Sequence, residues 1–460
     1  MSGSERLRHN RPAPIAFDPM SADSLLNHTL SLPCGAVLPN RLCKAALTEG
    51  VADDRLRATS RHETLYRRWS EGGAGLLLTG NVQIDRHVLE RPGNVAIDLS
   101  DPSTHDGEAR ARLSRWARAG TIGGNHLWMQ ISHAGRQSPR YVTTRPLAPS
   151  AEQLGLLGNF ARPRALTEDE ILDLIRRFAG AAVIARDTGF TGVQIHAAHG
   201  YLLSSFLSPV TNRREDAWGG VLENRARMLI QTVRAVRKAV GSDFPVAIKL
   251  NSDDFRKNGF SNDECVQVVR WLNDEALDLL EVSGGNYEQP VLLGHAGEAT
   301  TATPLRESTR RREAYFLDYA EHIRAVAKMP LMVTGGFRSR AGMQAALDEG
   351  ACDLIGIGRP LCTHTEAAGG LLRGEIDALP AYEKTLQLAE RGLFSPTSKL
   401  TVLKFVNVFG AQGWYYLNLF RLADGLAPDL QRGPLSAFLG YLFSEYAKAW
   451  KLHRARRRHG

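Results

Sequence analysis

The sequence predicts an α/β fold, a (β/α)8 TIM barrel followed by a mainly helical C-terminal extension. Eight short apolar segments, each bounded by glycine or polar residues, recur before residue 376, and helical patterns fill several of the gaps between them. Apolar strands that alternate with helices indicate a parallel sheet, and eight such units indicate a closed barrel. The length of 460 residues accommodates a barrel of about 250 residues or more and an extension. We therefore divide the chain into an N-terminal tail (1–21), the barrel (22–375) and the extension (376–460).

The predicted strands are short runs rich in aliphatic and β-branched residues. They cover Leu42–Ala46, Gly75–Thr79, Leu127–Ser132, Gly192–His196, Pro245–Leu250, Leu279–Ser283, Pro330–Thr334 and Leu354–Gly358. Long connections follow the third and sixth strands, over 133–166 and 284–313. Long loops in a compact domain are usually lids or binding loops, and these two leave the strand ends at which barrel enzymes build their sites.

Helical patterns lie between the strands and in the extension. A capping box at Thr167–Glu170 precedes apolar residues at helical spacing. Further inter-strand helices are predicted over Leu222–Val240, Asp263–Asn273, Tyr315–Ala327 and Arg340–Leu347. In the extension, Ala381–Gly392 is predicted to be helical, Thr401–Gly413 and Trp414–Leu422 are strongly apolar, and a last helix begins near Leu435.

Composition excludes several classes of protein. Hydrophobic residues make up 43% of the chain and charged residues 23%, as in an ordinary globular protein. The five cysteines are scattered without a Cys-x-x-Cys pair, so neither a disulfide framework nor a cysteine-rich metal site is indicated. The N-terminus has no apolar core typical of a signal peptide, and no apolar run is long enough to span a bilayer. We therefore expect a cytoplasmic location.

The net charge of +8 belongs mostly to the C-terminal tail. No acidic residue follows Glu445, whereas six basic residues do: Lys448, Lys451, Arg454, Arg456, Arg457 and Arg458. A basic field over the whole domain is absent, so a nucleic-acid partner is not expected.

The last helix carries an apolar stripe at i, i+3, i+4 and i+7 spacing, formed by Phe438, Leu439, Leu442, Phe443, Tyr446 and Trp450. The favoured interpretation is that this stripe packs on the barrel or on a second subunit, and a homo-oligomer is expected. The alternative is peripheral contact of a basic amphipathic helix with an anionic membrane.

The end of the fourth strand carries the candidate catalytic residues. His196 stands where the strand ends, and His199 and Tyr201 follow in the turn. Two neutral imidazoles that converge on a carbonyl oxygen would polarise it as an oxyanion hole does, and a tyrosine hydroxyl beside them could donate a proton. From spacing alone the two histidines could also be half of a metal site or two core histidines. A third metal ligand in a recognisable pattern is missing, which argues against a metal.

A longer stretch around these residues resembles the Old Yellow Enzyme family of FMN oxidoreductases. The resemblance is carried by Gly189–Arg225 and is supported by Asn40-Arg41, Gln130–Arg136, Thr334–Arg338 and Gly356–Pro360. It covers roughly residues 22–375 and does not extend to the C-terminal region.

The resemblance implies that FMN binds at the strand ends. Its phosphate would lie against Gly335, Gly336 and Gly358, where backbone N–H groups bind anions, and against Arg359, which adds charge-assisted hydrogen bonds. The flavin ring is expected to contact four further positions of the family pattern, Ala46, Thr48, Gly80 and Gln130.

The fifth strand departs from the family pattern. Lys249 matches a position that is usually arginine and faces flavin N1 and C2=O. Lysine keeps the positive charge but loses the planar fork of the guanidinium. We therefore expect the role to be retained, with a shifted flavin potential.

By analogy with the family, NADH or NADPH would reduce FMN, and an electrophilic alkene would then bind in the same site. His196 and His199 would hold its activating group, and Tyr201 would protonate the α-carbon. Tyr287, in the loop after the sixth strand, is either a substrate-facing lid residue or a surface aromatic. Two alternatives remain: a metal-dependent barrel hydrolase or lyase that uses His196 and His199, and a flavin-binding module that acts through its basic tail.

Overall fold

The computed structural model describes residues 24–156, 158–284, 317–396, 398 and 400–459. Eight parallel strands form a closed barrel in which each strand pairs with the next along the chain and the eighth pairs with the first. The strands are β1 (Leu42–Lys44), β2 (Leu76–Leu78), β3 (His126–Ser132), β4 (Gly192–Ala197), β5 (Val246–Asn251), β6 (Leu279–Ser283), β7 (Leu331–Thr334) and β8 (Leu354–Ile357). The predicted (β/α)8 barrel is confirmed, with each strand within two residues of its predicted ends.

The barrel helices lie outside the strands and cover their apolar outer faces. They are α1 (Ser60–Glu71), α2 (Gly107–Ala119), α3 (Glu168–Asp187), α4 (Leu202–Leu207), α5 (Leu222–Val240), α6 (Asn262–Leu272), α7 (Leu317–Arg324), α8 (Arg340–Asp348) and α9 (Ala367–Arg373). The capping box predicted at Thr167 is present, since its side chain accepts a hydrogen bond from the N–H of Glu170. The apolar face of α3 is buried as its spacing predicts.

The barrel interior changes character from one end to the other. Its lower layer is apolar and includes Leu76, Trp128, Leu279 and Met332, and an N-terminal hairpin (Leu30–Ser31 with Val37–Leu38) packs against this layer. Because alternate residues of a strand point to the same face, the next inward positions lie one layer higher. Those positions are polar: Gln130, Gln194, Lys249 and Glu281 are all buried. The polar layer therefore lies at the carboxyl ends of the strands.

The C-terminal extension folds as a hairpin of two long helices, α10 (Thr401–Ala423) and α11 (Pro434–His459). The two apolar stretches predicted in this region form the single helix α10. The helix predicted over Ala381–Gly392 is wrong, because only Tyr382–Lys384 forms a short 3-10 turn. Contacts with other elements replace its helical hydrogen bonds: the Leu388 N–H donates to the Asn407 side chain on α10.

Most of the predicted apolar stripe of α11 is exposed, although the Tyr446 ring contacts the Tyr141 ring at 5.1 Å between centroids. Phe443 is 79% exposed and Trp450 58% exposed, and Leu439 and Tyr446 are similarly open. The buried residues of α11 include three alanines, one leucine and one carboxylate: Ala437, Ala449, Ala455, Leu452 and Glu445. No helix in the described ranges is both long and apolar enough to cross a membrane.

Candidate active site

A cavity opens at the carboxyl ends of the barrel strands and is closed on one side by helix α10. The structure brings most of the predicted site residues to it: Ala46, Thr48, Gln130, His196, His199, Tyr201, Lys249, Gly335, Gly336, Gly358 and Arg359. Sequence positions that are more than 300 residues apart thus meet because parallel strands end on the same rim.

Among the predicted site residues that the structure describes, Gly80 does not line the cavity. Gly80 is buried behind the rim, where a Cβ atom would lie 2.6 Å from the Leu47 carbonyl oxygen and equally close to Thr48 Cα. Its close approach is therefore to the chain segment that lines the cavity, and glycine is required for that reason. Tyr287 lies outside the described residues.

His196, His199 and Tyr201 form one cluster at the end of β4. The His196 and His199 rings are 5.2 Å apart between centroids, and Tyr201 lies edge-on to His196 at 4.8 Å. His199 has a left-handed backbone conformation, with φ of 62°. Its N–H donates to Asn251 Oδ1 over 2.9 Å, which holds this strained turn in place.

Both imidazoles are neutral near pH 7. Burial lowers the pKa of His196 and of His199 well below 6.5, and the neighbouring Lys249 ammonium lowers both further. His196 Nδ1 accepts a hydrogen bond from the Ala198 N–H over 3.2 Å, so the proton of the neutral ring is on Nε2. One ring nitrogen of His199 pairs with the Ser283 hydroxyl at 2.7 Å. His196 therefore presents a neutral N–H donor.

A buried chain of polar side chains crosses the top of the barrel. Lys249 Nζ lies 2.8 Å from Glu281 Oε1, and the other Glu281 oxygen accepts from Gln194 Nε2 at 2.8 Å. Gln194 in turn accepts from Gln130 Nε2 at 2.6 Å. Every member is almost inaccessible to water. The positive charge predicted at Lys249 is therefore paired with the Glu281 carboxylate. Glu281 was not predicted, although it lies two residues before Ser283 on β6 and so points to the same face of the strand.

The opposite end of the cavity carries two arginines and two glycines. Gly335 and Gly336 both have positive φ, 123° and 94°, at the turn that follows β7. Arg338 and Arg359 both approach Glu383 Oε1, at 2.5 Å and 3.4 Å, and Tyr415 donates to the other oxygen of Glu383 at 2.6 Å. Burial opposes ionisation of Glu383, but Arg359, Tyr415 and Arg338 hold its pKa below the usual value. This end of the cavity is cationic, with one carboxylate from the extension.

These features fit FMN. The residues at one end supply two guanidinium groups and glycine backbone, which suits a phosphate. Those at the other end supply a glutamine amide and a lysine, which suit the polar edge of a ring. A metal is a poorer match, since the described part of the chain contains no group of three or more His, Cys, Asp or Glu side chains placed to bind one.

Comparisons with known proteins show the family and the fold of the chain. A model of the NADH:flavin oxidoreductase / NADH oxidase family matches residues 35–368. The chain is similar to the NADH-dependent flavin oxidoreductase iccE of Talaromyces variabilis, with 37% identity over 421 residues that cover 87% of this chain and 99% of that one. It is 38% identical over 357 residues to the NADH-dependent flavin oxidoreductase iliE of Neonectria sp. (strain DH2); this similarity covers 74% of the chain and 46% of the relative, so the chain spans about half of that protein.

A solved structure shows the same fold. The old yellow enzyme homologue from Zymomonas mobilis superposes with a TM-score of 0.65 at 25% identity, over 78% of this chain and 95% of that chain.

Proposed function

From the premise that the chain belongs to the NADH:flavin oxidoreductase / NADH oxidase family, with a fold of the Old Yellow Enzyme type, we propose that it reduces the C=C bond of an activated alkene with NADH. The observation that carries the proposal is the pair of neutral, buried imidazoles beside Tyr201. Neutral donors suit an uncharged acceptor such as the carbonyl oxygen of an α,β-unsaturated carbonyl compound.

The cofactor that this family uses is FMN, which when bound takes hydride from NADH and delivers it to the β-carbon of the alkene. The protein residues supply binding, orientation and one proton. His196 Nε2–H donates to the activating oxygen and withdraws electron density from the double bond. His199 lies beside it and supplies the second contact. Tyr201 donates its phenolic proton to the α-carbon.

NADH and the alkene are proposed to use the same site in turn. The sequence contains no Gly-x-Gly-x-x-Gly fingerprint of a separate dinucleotide-binding fold. A ping-pong order follows, because one reactant must leave before the other can bind.

The test is an assay of the purified, FMN-loaded protein under anaerobic conditions with enones, nitroalkenes and unsaturated acids, and with NADH and NADPH in parallel. We expect turnover of at least one alkene class and parallel lines in double-reciprocal plots. Oxidation of NADH by dioxygen alone, with no alkene reduced, would contradict the proposal and indicate an NADH oxidase.

We also propose that the exposed stripe of α11 joins two copies of the chain. Phe443, Tyr446 and Trp450 give it the aromatic character of interface centres. Light scattering should show a dimer that Phe443→Ser with Trp450→Ser converts to a monomer. A monomeric wild-type protein that binds anionic vesicles through the same residues would instead support the membrane alternative.

A further inference from the structure

Helix α10 presents one face to the cavity. The residues that line the cavity are spaced at i, i+3, i+4, i+7, i+8 and i+11, which is a single helix face: Val408, Ala411, Gln412, Tyr415, Tyr416 and Leu419. Another side packs closely on α11, since a Cβ atom at Gly410 would lie 2.7 Å from the Pro434 carbonyl oxygen and one at Gly413 would lie 2.8 Å from Tyr441. The close packing fixes which face of α10 points at the cavity.

We call the cavity-lining face of α10 (Val408, Ala411, Gln412, Tyr415, Tyr416 and Leu419) the wall. It is held to the barrel by a buried ion pair. Arg91, in the loop after β2, contacts Glu445 of α11 at 2.5 Å, and the two side chains are only 3% and 1% exposed. The Arg91 guanidinium also lies over the Tyr416 ring at 4.0 Å. Such contacts join the hairpin to the same loop that carries Glu90, so α10 is a fixed boundary of the cavity.

Glu90 is the acidic group beside this wall. It is 91% buried and lines the cavity, and its Oε2 atom accepts from Thr48 Oγ1 at 2.7 Å and from Asn81 Nδ2 at 2.6 Å. Within the described residues no hydrogen bond reaches its second oxygen, Oε1. The Glu90 side chain is thus mostly buried, and its second oxygen is open to a ligand that can donate a hydrogen bond to it.

We propose that the cavity face of α10 and Glu90 together select the substrate. The wall fits an alkene with an apolar body of aromatic size, and Glu90 accepts a hydrogen bond from a hydroxyl or similar donor on that body. The inference rests on the proposed alkene reduction and names its substrate class. It assigns a role to the C-terminal extension, which lies beyond the 35–368 region matched by the family model.

The size of the wall is tested with Val408→Phe, which adds bulk on the cavity side. Val402→Phe is the matched control, because Val402 is on the same helix and 68% exposed. The substrates are cyclohex-2-enone and chalcone. We expect Val408→Phe to lower kcat/KM for chalcone about tenfold or more and to change the value for cyclohex-2-enone little. Equal effects on both substrates, or equal effects of both variants, would overturn the role of the wall.

The acceptor is tested with Glu90→Gln and the hydroxychalcone isomers. A glutamine that keeps its oxygen toward Thr48 and Asn81 turns its NH2 group to the position of Oε1, which replaces an acceptor by a donor. In the wild type, at least one isomer should have a lower KM than chalcone, and Glu90→Gln should abolish that preference. An isomer preference that survives in Glu90→Gln, or that the wild type lacks, would overturn the assignment of Glu90.

A failure of this substrate selection can be told apart from a failure of the proposed alkene reduction. If no alkene is reduced, the proposed function fails. If alkenes are reduced but selection is unchanged in Val408→Phe and Glu90→Gln, only the present inference fails.

Discussion

Tyr201 lies edge-on to the His196 ring and is only 3% exposed, so its hydroxyl acts in a site shielded from water. We predict that Tyr201→Phe slows alkene reduction about 100-fold or more, the usual contribution of a positioned acid. Reduction of the flavin by NADH needs no proton from Tyr201 and should stay within a few-fold of wild type. Stopped-flow measurement of the two half-reactions separates these effects.

Tyr382→Phe is a suitable control for Tyr201→Phe. Tyr382 stacks near His364 and Trp414 and does not line the cavity. It should leave both half-reactions unchanged. Equal loss in both half-reactions of Tyr201→Phe would reject the role of proton donor.

Glu281 pairs with Lys249 in the buried polar layer. We predict that Glu281→Gln raises the flavin midpoint potential, because Lys249 then keeps an uncompensated positive charge that stabilises the reduced, more negative flavin. Gln keeps an acceptor for Gln194, so the hydrogen-bond chain can persist. A spectroelectrochemical titration measures the shift, with the exposed Glu375→Gln as control. A lower potential would contradict the prediction.

Among single residues, the sequence alone indicated those whose type is unusual at the end of a strand. His196 and His199 stand out because histidines end and follow an apolar strand, whereas Lys249 was found through the family pattern. Glu281 and Glu90 were missed, since a single glutamate beside apolar residues looks like an exposed one. Their burial follows from the closure of the barrel and from α10, which no local pattern contains.

Among the elements, the α10–α11 hairpin depends on the buried Arg91–Glu445 pair. We predict that Glu445→Gln destabilises the protein by about 3–5 kcal/mol, because the Arg91 charge stays buried without its counter-ion. Chemical denaturation followed by circular dichroism measures the loss. Arg373→Ala removes the solvent-exposed pair with Glu375 and should leave stability unchanged. If the two variants behave alike, the hairpin does not depend on the Arg91–Glu445 pair.

The elements were predicted well where one physical signal dominates. Leu222–Val240 is a helix with the predicted bounds, and the strands agree closely, because apolar periodicity and closing glycines act locally. The segment Ala381–Gly392 failed because its contacts are tertiary: Glu383 pairs with Arg338, and Leu388 bonds to Asn407. The stripe of α11 was predicted to pack on the barrel or on a second subunit, because periodicity cannot tell an intramolecular face from an open one.

For the whole molecule, the barrel and the extension contribute to one cavity. The division at residue 375 stays a prediction, but residues 408–419 on α10 line the same space as the strand ends of β4 and β5. A family pattern that ends before α10 could not have revealed that wall. The apolar character of α10 was visible in the sequence. Which part of the barrel the helix covers was not, because that depends on how the α10–α11 hairpin is anchored.

Buried neutral histidines make the stability of the whole molecule depend on pH. Burial lowers the pKa of His62 to about 3 and the pKa of His196 and His199 well below 6.5. The unfolded chain binds protons at these groups below about pH 6.5 while the folded chain does not, so stability is full above that pH and is lost as the pH falls. Each group costs about 1.4 kcal/mol per pH unit in this window.

We predict that the free energy of unfolding falls by at least about 4 kcal/mol between pH 7.5 and 5.5, at about 1.4 kcal/mol each from His62, His196 and His199. His87 and His126 add to the loss, because burial lowers the pKa of both below 6.5. Carboxylates with lowered pKa, such as Asp85 at about 2, contribute at more acidic pH. Burial lowers the pKa of Lys448 to about 7, so this lysine adds to the loss at the upper end of the window. Denaturant titrations at the two pH values measure the difference. Replacement of His62 by Gln should remove about 1.4 kcal/mol of it, and the cavity should be unaffected because His62 lies on α1 against the Trp116 ring. A pH-independent free energy of unfolding would show that these imidazoles are protonated in the folded protein, and neutral donation by His196 would then fail with it.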